Sequence, residues 1–195
     1  MTSGCTEPMH VGGIGLIPLS LAHLGCNVIT SDLPSVISAC LGDNIEQNLS
    51  LLPPTAGQIS VRELDWTIPP QLWAWDNDTV IASPTHTPSA GQQQPTFDLV
   101  VSSDTIYSSD LIEPFLRTLH ALCTAASGAR APVALICLER RDPALIDETL
   151  DKAKERGFTV TRVPPHKVSK ALRKSGAQWE KADWEGVELW KLVLK

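Results

Sequence analysis

The chain has 195 residues, of which 43% are hydrophobic, enough to bury one core and too few for two full ones. No apolar run is long enough to cross a bilayer, and Met1–His10 lacks the basic start and apolar stretch of a secretory leader. A single domain, 1–195, in the cytoplasm or the nucleus and without a membrane partner, is therefore expected. The formal net charge of −6 is unevenly built, since Arg62, Arg117 and Arg130 are the only fixed cations through Leu138. That pattern argues against a nucleic-acid backbone as the partner of this region and suits a basic one.

Gly12–Gly25 reads as a glycine turn followed by a helix, with Leu16, Leu19, Leu21 and Leu24 apolar and Gly25 at its end. Asn27–Ser31 is a short strand leading to Asp32, Ser35–Leu49 has helical periodicity, and Ile59–Leu64 is another strand. From about 67 to 96 the composition shifts to Pro, Gln, Thr and Trp, which predicts a long and partly disordered connection. The run Phe97–Tyr107 then carries an apolar strand into two serines, Asp104 and Tyr107. With so little polar alternation it reads as a central strand covered on both faces.

Asp110-Leu111-Ile112-Glu113 has capping-box spacing and predicts a helix to about Ala126. Ala131–Leu138 is a buried strand, Pro143–Arg156 a helix stopped by Gly157, and Phe158–Val163 a strand. Pro164–Trp184 reads as an irregular basic stretch before a final strand, Val187–Leu194. About six strands with intervening helices make an α/β fold, a doubly wound and mostly parallel sheet with an antiparallel C-terminal edge pair. The five cysteines are scattered, without C-x-x-C spacing, and read as reduced core thiols; the five histidines form no ligand pair, so no metal is expected.

In open sheets of this kind ligands sit beyond the carboxyl ends of the strands. Gly12-Gly13-Ile14-Gly15 opens a helix with unobstructed backbone amides, and Asp32 ends the second strand, where a carboxylate accepts both hydroxyls of a ribose. The bland readings are a tight turn before a packed helix and a cap for the helix near Ser35. Together the two features favour a nucleoside-containing ligand. A nicotinamide dehydrogenase fits less well, because Gly13-Ile14-Gly15-Leu16-Ile17-Pro18 has proline where the third glycine of that fingerprint stands. An S-adenosylmethionine site needs glycines for the amino-acid part, an acid for the ribose and a polar cluster after the fourth strand, and this chain has all three in order.

Leu24-Gly25 through Asp32-Leu33-Pro34, Asn44-Ile45-Glu46-Gln47-Asn48, Leu64-Asp65-Trp66, Phe97-Asp98-Leu99-Val100, Ser103-Asp104-Thr105-Ile106-Tyr107 and Gly186-Val187-Glu188-Leu189-Trp190 follow one another here. In these motifs the chain resembles the seven-stranded protein-lysine methyltransferases of the methyltransferase 16 group. The resemblance implies a Rossmann-like class I methyltransferase fold with S-adenosyl-L-methionine as cofactor. It places Gly12, Gly13 and Gly15 in the cofactor loop, Asp32 at the ribose, Asp65-Trp66 on the adenine side and Ser103 against the cofactor. Asp104 and Tyr107 match the family's Asp-x-x-Tyr element at the substrate end, where a lysine of a protein such as a translation factor or chaperone would be methylated by a monomeric enzyme. Asp104 would bind and aim that lysine, because a carboxylate beside an ammonium holds its proton on. The sequence departs from the family at Met9 and Val11, which stand where an acid and the first loop glycine are usual. Only about ten residues precede the loop, which reads as an N-terminal truncation. The alternative is a non-catalytic, methyltransferase-like interaction module. Methylation of bases fits poorly, since there is no Asn-Pro-Pro-Tyr element and no basic cleft.

Overall fold

The computed structural model describes residues 9–11, 13–85, 94–124, 131–176 and 179–195. Adjacent strand residues point to opposite sides, and this alternation divides the molecule into layers. β1 (Met9–Val11), β2 (Val28–Asp32) and β5 (Leu99–Ser103) lie side by side and parallel, with Met9, Ile29 and Val100 level across them. These three side chains enter a core with Phe115, Leu116 and Leu119 of α4 (Ile112–Cys123) and with Ile146 and Leu150 of α5 (Pro143–Glu155). Val28 points the other way, to Ala22 of α1 (Leu16–His23), to Cys26 and to Leu52.

The remaining strands are β3 (Ile59–Leu64), β4 (Val80–Ala82), β6 (Val133–Glu139), β7 (Phe158–Arg162) and β8 (Val187–Leu194). The sheet runs β4-β3-β2-β1-β5-β6-β8-β7. It is parallel except that β8 is antiparallel to both β6 and β7. The expected α/β class, mostly parallel and doubly wound, is what the chain adopts. The expected antiparallel C-terminal pair is β7 and β8 at the edge of the sheet, with β8 lying between β6 and β7. β1 feeds β2 on one side and β5 feeds β6 on the other, so the winding reverses between β1 and β5, and the crevice at their carboxyl ends is where such folds bind ligands.

Three expectations change. The connection after β3 is built into the fold as far as residue 85. Its Trp73 is 4% exposed, and Trp73 meets Trp75 edge-on while Trp75 meets Phe97 at a tilt, and β4 adds a strand to the edge of the sheet. Burying indole surface outweighs the turn-forming composition around it; the glutamine run as far as Gln93 lies outside the described residues. The basic stretch contains a helix, α6 (Pro165–Ser175), opened by proline and closed by Gly176. The expected capping box does not form. Ser109–Leu111 is a 3-10 turn leading into α4 with no side-chain cap, because Glu113 is drawn off to pair with Arg156 beyond the end of α5.

α1 ends as predicted, with Gly25 in the left-handed region, Gly25 N–H donating to Ala22 O and Cys26 N–H to Leu21 O. Cys26 is disulfide-bonded, so the reading of reduced thiols fails there, while Cys40, Cys123 and Cys137 are free. No helix among the described residues is long and apolar enough to cross a membrane.

Candidate functional site

The crevice is framed by the segments leaving β1, β2 and β5. Gly13 and Gly15 have φ of 120° and 104°, conformations open to glycine and strained for other residues. They turn the chain out of β1 and into α1 within four residues. Asp32 stands opposite, at the end of β2. Its Oδ2 accepts the Gly13 amide at 3.1 Å and its Oδ1 accepts the Leu33 amide at 2.8 Å. A carboxylate has about four lone-pair directions, so two further donors can still be taken. The sequence thus places glycine turn and acid in one constellation, and the structure joins them directly. Gly12 lies outside the described residues.

Behind the loop runs a helical segment from Pro34 to Leu49, composed of α2 (Pro34–Val36), a π turn (Ile37–Leu41) and α3 (Gly42–Leu49). Asn44 of α3 donates from Nδ2 to the Ile14 carbonyl at 2.8 Å. The sequence offered Asn44 only as part of a resemblance. Its position in a polar i, i+4 pair with Asn48 was the available signal for a residue facing something specific.

Asp65 and Trp66 are occupied elsewhere. Asp65 Oδ1 accepts the Thr67 amide and hydroxyl at 2.8 and 2.7 Å, closing its own turn. The Trp66 ring packs 5.3 Å from Phe115, and Arg117 donates to the Trp66 and Thr67 carbonyls. The two residues fix the turn after β3 from the α4 side, and the partly buried Trp66 ring packs against the core.

At the end of β5 the polar cluster divides by burial. Ser102 is buried and shares a 2.5 Å hydrogen bond with Thr105; Ser103 is half-buried and points to the opposite face. Asp104 is exposed, with φ of 52°, an unusual conformation outside glycine that Asp tolerates better than most residues. Its amide donates to the Cys137 carbonyl at 2.9 Å and its Oδ1 accepts the Glu139 amide at 3.2 Å. Asp104 therefore ties the ends of β5 and β6 together and keeps its second oxygen for other donors. Burial and then the Asp104 charge push the Cys137 thiol up. The exposed Arg141 has its pKa raised by its hydrogen bond and charge contact with Glu139, and by the Asp104 charge. Glu139 and Cys137 were not among the sequence candidates, and only the sheet register brings them to Asp104. Tyr107 is 68% exposed on the loop beyond. A cavity of about 350 Å³ lined by Asn27, Gln58, Arg62, Trp75 and Pro95 opens at the amino ends of β2 and β3, away from this site.

Met9, where the resembled family has an acid, is fully buried in the core. The described residues contain no group of three His, Cys, Asp or Glu side chains arranged to hold a metal ion.

No family model matches the sequence, and no curated protein matches it either. Solved structures do match. One is a TehB-like S-adenosylmethionine-dependent methyltransferase from Corynebacterium glutamicum, 15% identical over 100% of this chain and 83% of that one, with a TM-score of 0.57. Another is the glycopeptide N-methyltransferase MtfA complexed with sinefungin, 13% identical over 99% and 87%, TM-score 0.57. A third is the N-methyltransferase NodS from Bradyrhizobium japonicum, 15% identical over 100% and 89%, TM-score 0.55. The chain has the fold of the S-adenosylmethionine-dependent methyltransferases.

Proposed function

We propose that this chain binds S-adenosylmethionine in the crevice between Gly13–Gly15 and Asp32 and transfers its methyl group to a lysine amine of a protein substrate. The observation that carries the reading is the Asp32–Gly13 hydrogen bond of 3.1 Å, which unites glycine turn and strand-end acid in one cradle. The residues present fit the cofactor: Asp32 keeps lone pairs for the ribose hydroxyls, and two positive-φ glycines leave room beside the backbone for the amino-acid part. A nitrogen acceptor is favoured by two of the similar structures, which are N-methyltransferases.

The cofactor when bound supplies an electrophilic methyl on a sulfonium, and no metal is required for its displacement. The chain's own contribution is to bring a neutral amine in line with that methyl. Deprotonating an ordinary lysine costs roughly 4–5 kcal/mol at pH 7, and Asp104 does not remove that proton, because its charge favours the ammonium. Its free oxygen instead receives the incoming lysine at the end of β5, beside the Glu139–Arg141 ion pair. Tyr107 offers its exposed ring face to the cation. Water takes the proton, and fixed near-attack geometry supplies most of the acceleration. The substrate is a protein with a basic segment, and the enzyme works as a monomer in the cytoplasm or nucleus, without nucleic-acid or membrane partners.

Transfer of labelled methyl from S-adenosylmethionine to proteins of a cell extract tests this reading. Asp104→Asn keeps the tolerance for positive φ and an oxygen for the Glu139 amide, so the fold is retained while the charge is removed. Transfer should fall at least about tenfold with S-adenosylhomocysteine affinity unchanged; undiminished transfer would remove Asp104 from the substrate site. One observation favours a second reading, a non-catalytic interaction module: Met9 buries a thioether where the family has an acid. Cofactor binding without transfer to any protein would select it.

A further inference from the structure

The peptide between Ile14 and Gly15 is planar and trans, so its carbonyl and its amide N–H point in opposite directions. The Ile14 carbonyl is aimed at α3, where Asn44 Nδ2 donates to it at 2.8 Å. The Gly15 N–H is consequently turned away from α3. Reversing this peptide would exchange the two groups, and with glycine following Ile14 the backbone opposes that flip very little. What selects one orientation is the amide donor of Asn44.

Asn44 is itself held. The Asn48 side chain donates to the Asn44 carbonyl at 2.8 Å, while Leu41 and Ile45 on the same face are fully or almost fully buried. A Cβ built on Gly15 would meet Ile45 Cδ1 at 3.3 Å and Asn44 Cβ and Leu41 Cδ1 at 3.6 Å, so this face lies directly against the loop. The π turn Ile37–Leu41 precedes it. One extra residue in a helix turns everything after it by about 100°. The wide turn therefore sets the phase in which Leu41, Asn44, Ile45 and Asn48 all face Gly15.

We infer that Asn44 is a positioning residue for the cofactor loop: by fixing the Ile14 carbonyl toward α3 it keeps the Gly15 N–H available to the carboxylate of the cofactor's amino-acid part. The inference rests on the cofactor reading above and deepens it. With the peptide reversed, a carbonyl oxygen would face that carboxylate and repel it.

The test uses Asn44→Asp, which puts an acceptor in place of the donor, with Asn44→Ser as the milder variant should the first fail to fold. Two ligands are titrated, S-adenosylhomocysteine and 5′-methylthioadenosine, which lacks the amino-acid part, and amide hydrogen exchange is followed at Gly15 and in α4. The variant should bind S-adenosylhomocysteine about tenfold more weakly and 5′-methylthioadenosine less than about twofold more weakly, with faster exchange at Gly15 and unchanged exchange in α4. Equal weakening of both ligands, or unaltered exchange at Gly15, overturns the role of Asn44. Failure of the unsubstituted chain to bind S-adenosylhomocysteine overturns the cofactor reading itself, and this role with it.

Discussion

Replacing Gly15 by alanine perturbs the site at its tightest point. Two costs follow. A side chain at φ of 104° adds about 1–2 kcal/mol of backbone strain. The new Cβ then sits 3.3 Å from Ile45 Cδ1, and Ile45 is 4% exposed and cannot swing into solvent; overpacking of this kind costs about 1–3 kcal/mol. Gly176→Ala separates the two terms, because Gly176 has φ of 80° with nothing among the described residues within 4 Å of the added Cβ, leaving the backbone cost of about 1–2 kcal/mol. In urea the Gly15→Ala midpoint should therefore fall below that of Gly176→Ala by roughly 0.5–1 M. The same variant should lose S-adenosylhomocysteine affinity, which Gly176→Ala keeps. Equal midpoints for the two variants would refute the claim that α3 packs directly on the glycine turn.

Trp73→Ala should cost about 3–5 kcal/mol, since the ring is 4% exposed and its Nε1–H donates to the Ile68 carbonyl at 3.2 Å; a loss under about 1 kcal/mol in chemical denaturation would return this segment to a loosely attached loop. Glu188→Gln should cost about 1–3 kcal/mol, because this 5%-exposed carboxylate accepts from Trp190 Nε1 at 2.9 Å and pairs with Arg162 at 3.0 Å. A neutral result by calorimetric melting would show that β8 does not depend on that charge. Burial pushes the Cys123 thiol from 9.0 up to about 12. Its folded pKa is the higher one, so the unfolded chain loses the proton first. The associated stability is complete below pH 9 and is lost as pH rises toward 12, by about 1.4 kcal/mol per pH unit. Cys123→Ala should flatten the alkaline stability curve by that slope between pH 9.5 and 10.5, whereas parallel curves would contradict the burial.

Periodic stretches were legible from the chain alone. Asn27–Ser31, Ile59–Leu64 and the strands from Phe97, Ala131, Phe158 and Val187 all carry enough β-branched and apolar residues to declare themselves. β1 and β4 escaped because three residues are too few to show alternation, and their strand character is conferred by neighbours in the sheet. α6 was hidden by its composition: its stripe is only Val168 and Leu172 among basic residues, and none of its residues is fully buried. At the site, Asp32 and the glycine turn could be paired in advance, since strand ends and turns are sequence-local features. The engagement of Asp104 with Glu139, residues 35 apart, depends on the β5–β6 register, and the packing of the Trp66 ring on the core depends on where Phe115 falls on α4. Neither long-range fact has a local signature.

The central claim is that the glycine turn and Asp32 form a cofactor cradle, and calorimetric titration with S-adenosylhomocysteine tests it most directly. The unsubstituted chain should bind one equivalent, and Asp32→Ala, which strips the acceptor from the Gly13 and Leu33 amides and from the ribose, should bind at least about tenfold more weakly. No heat from the unsubstituted chain, or equal affinity in Asp32→Ala, would contradict the account.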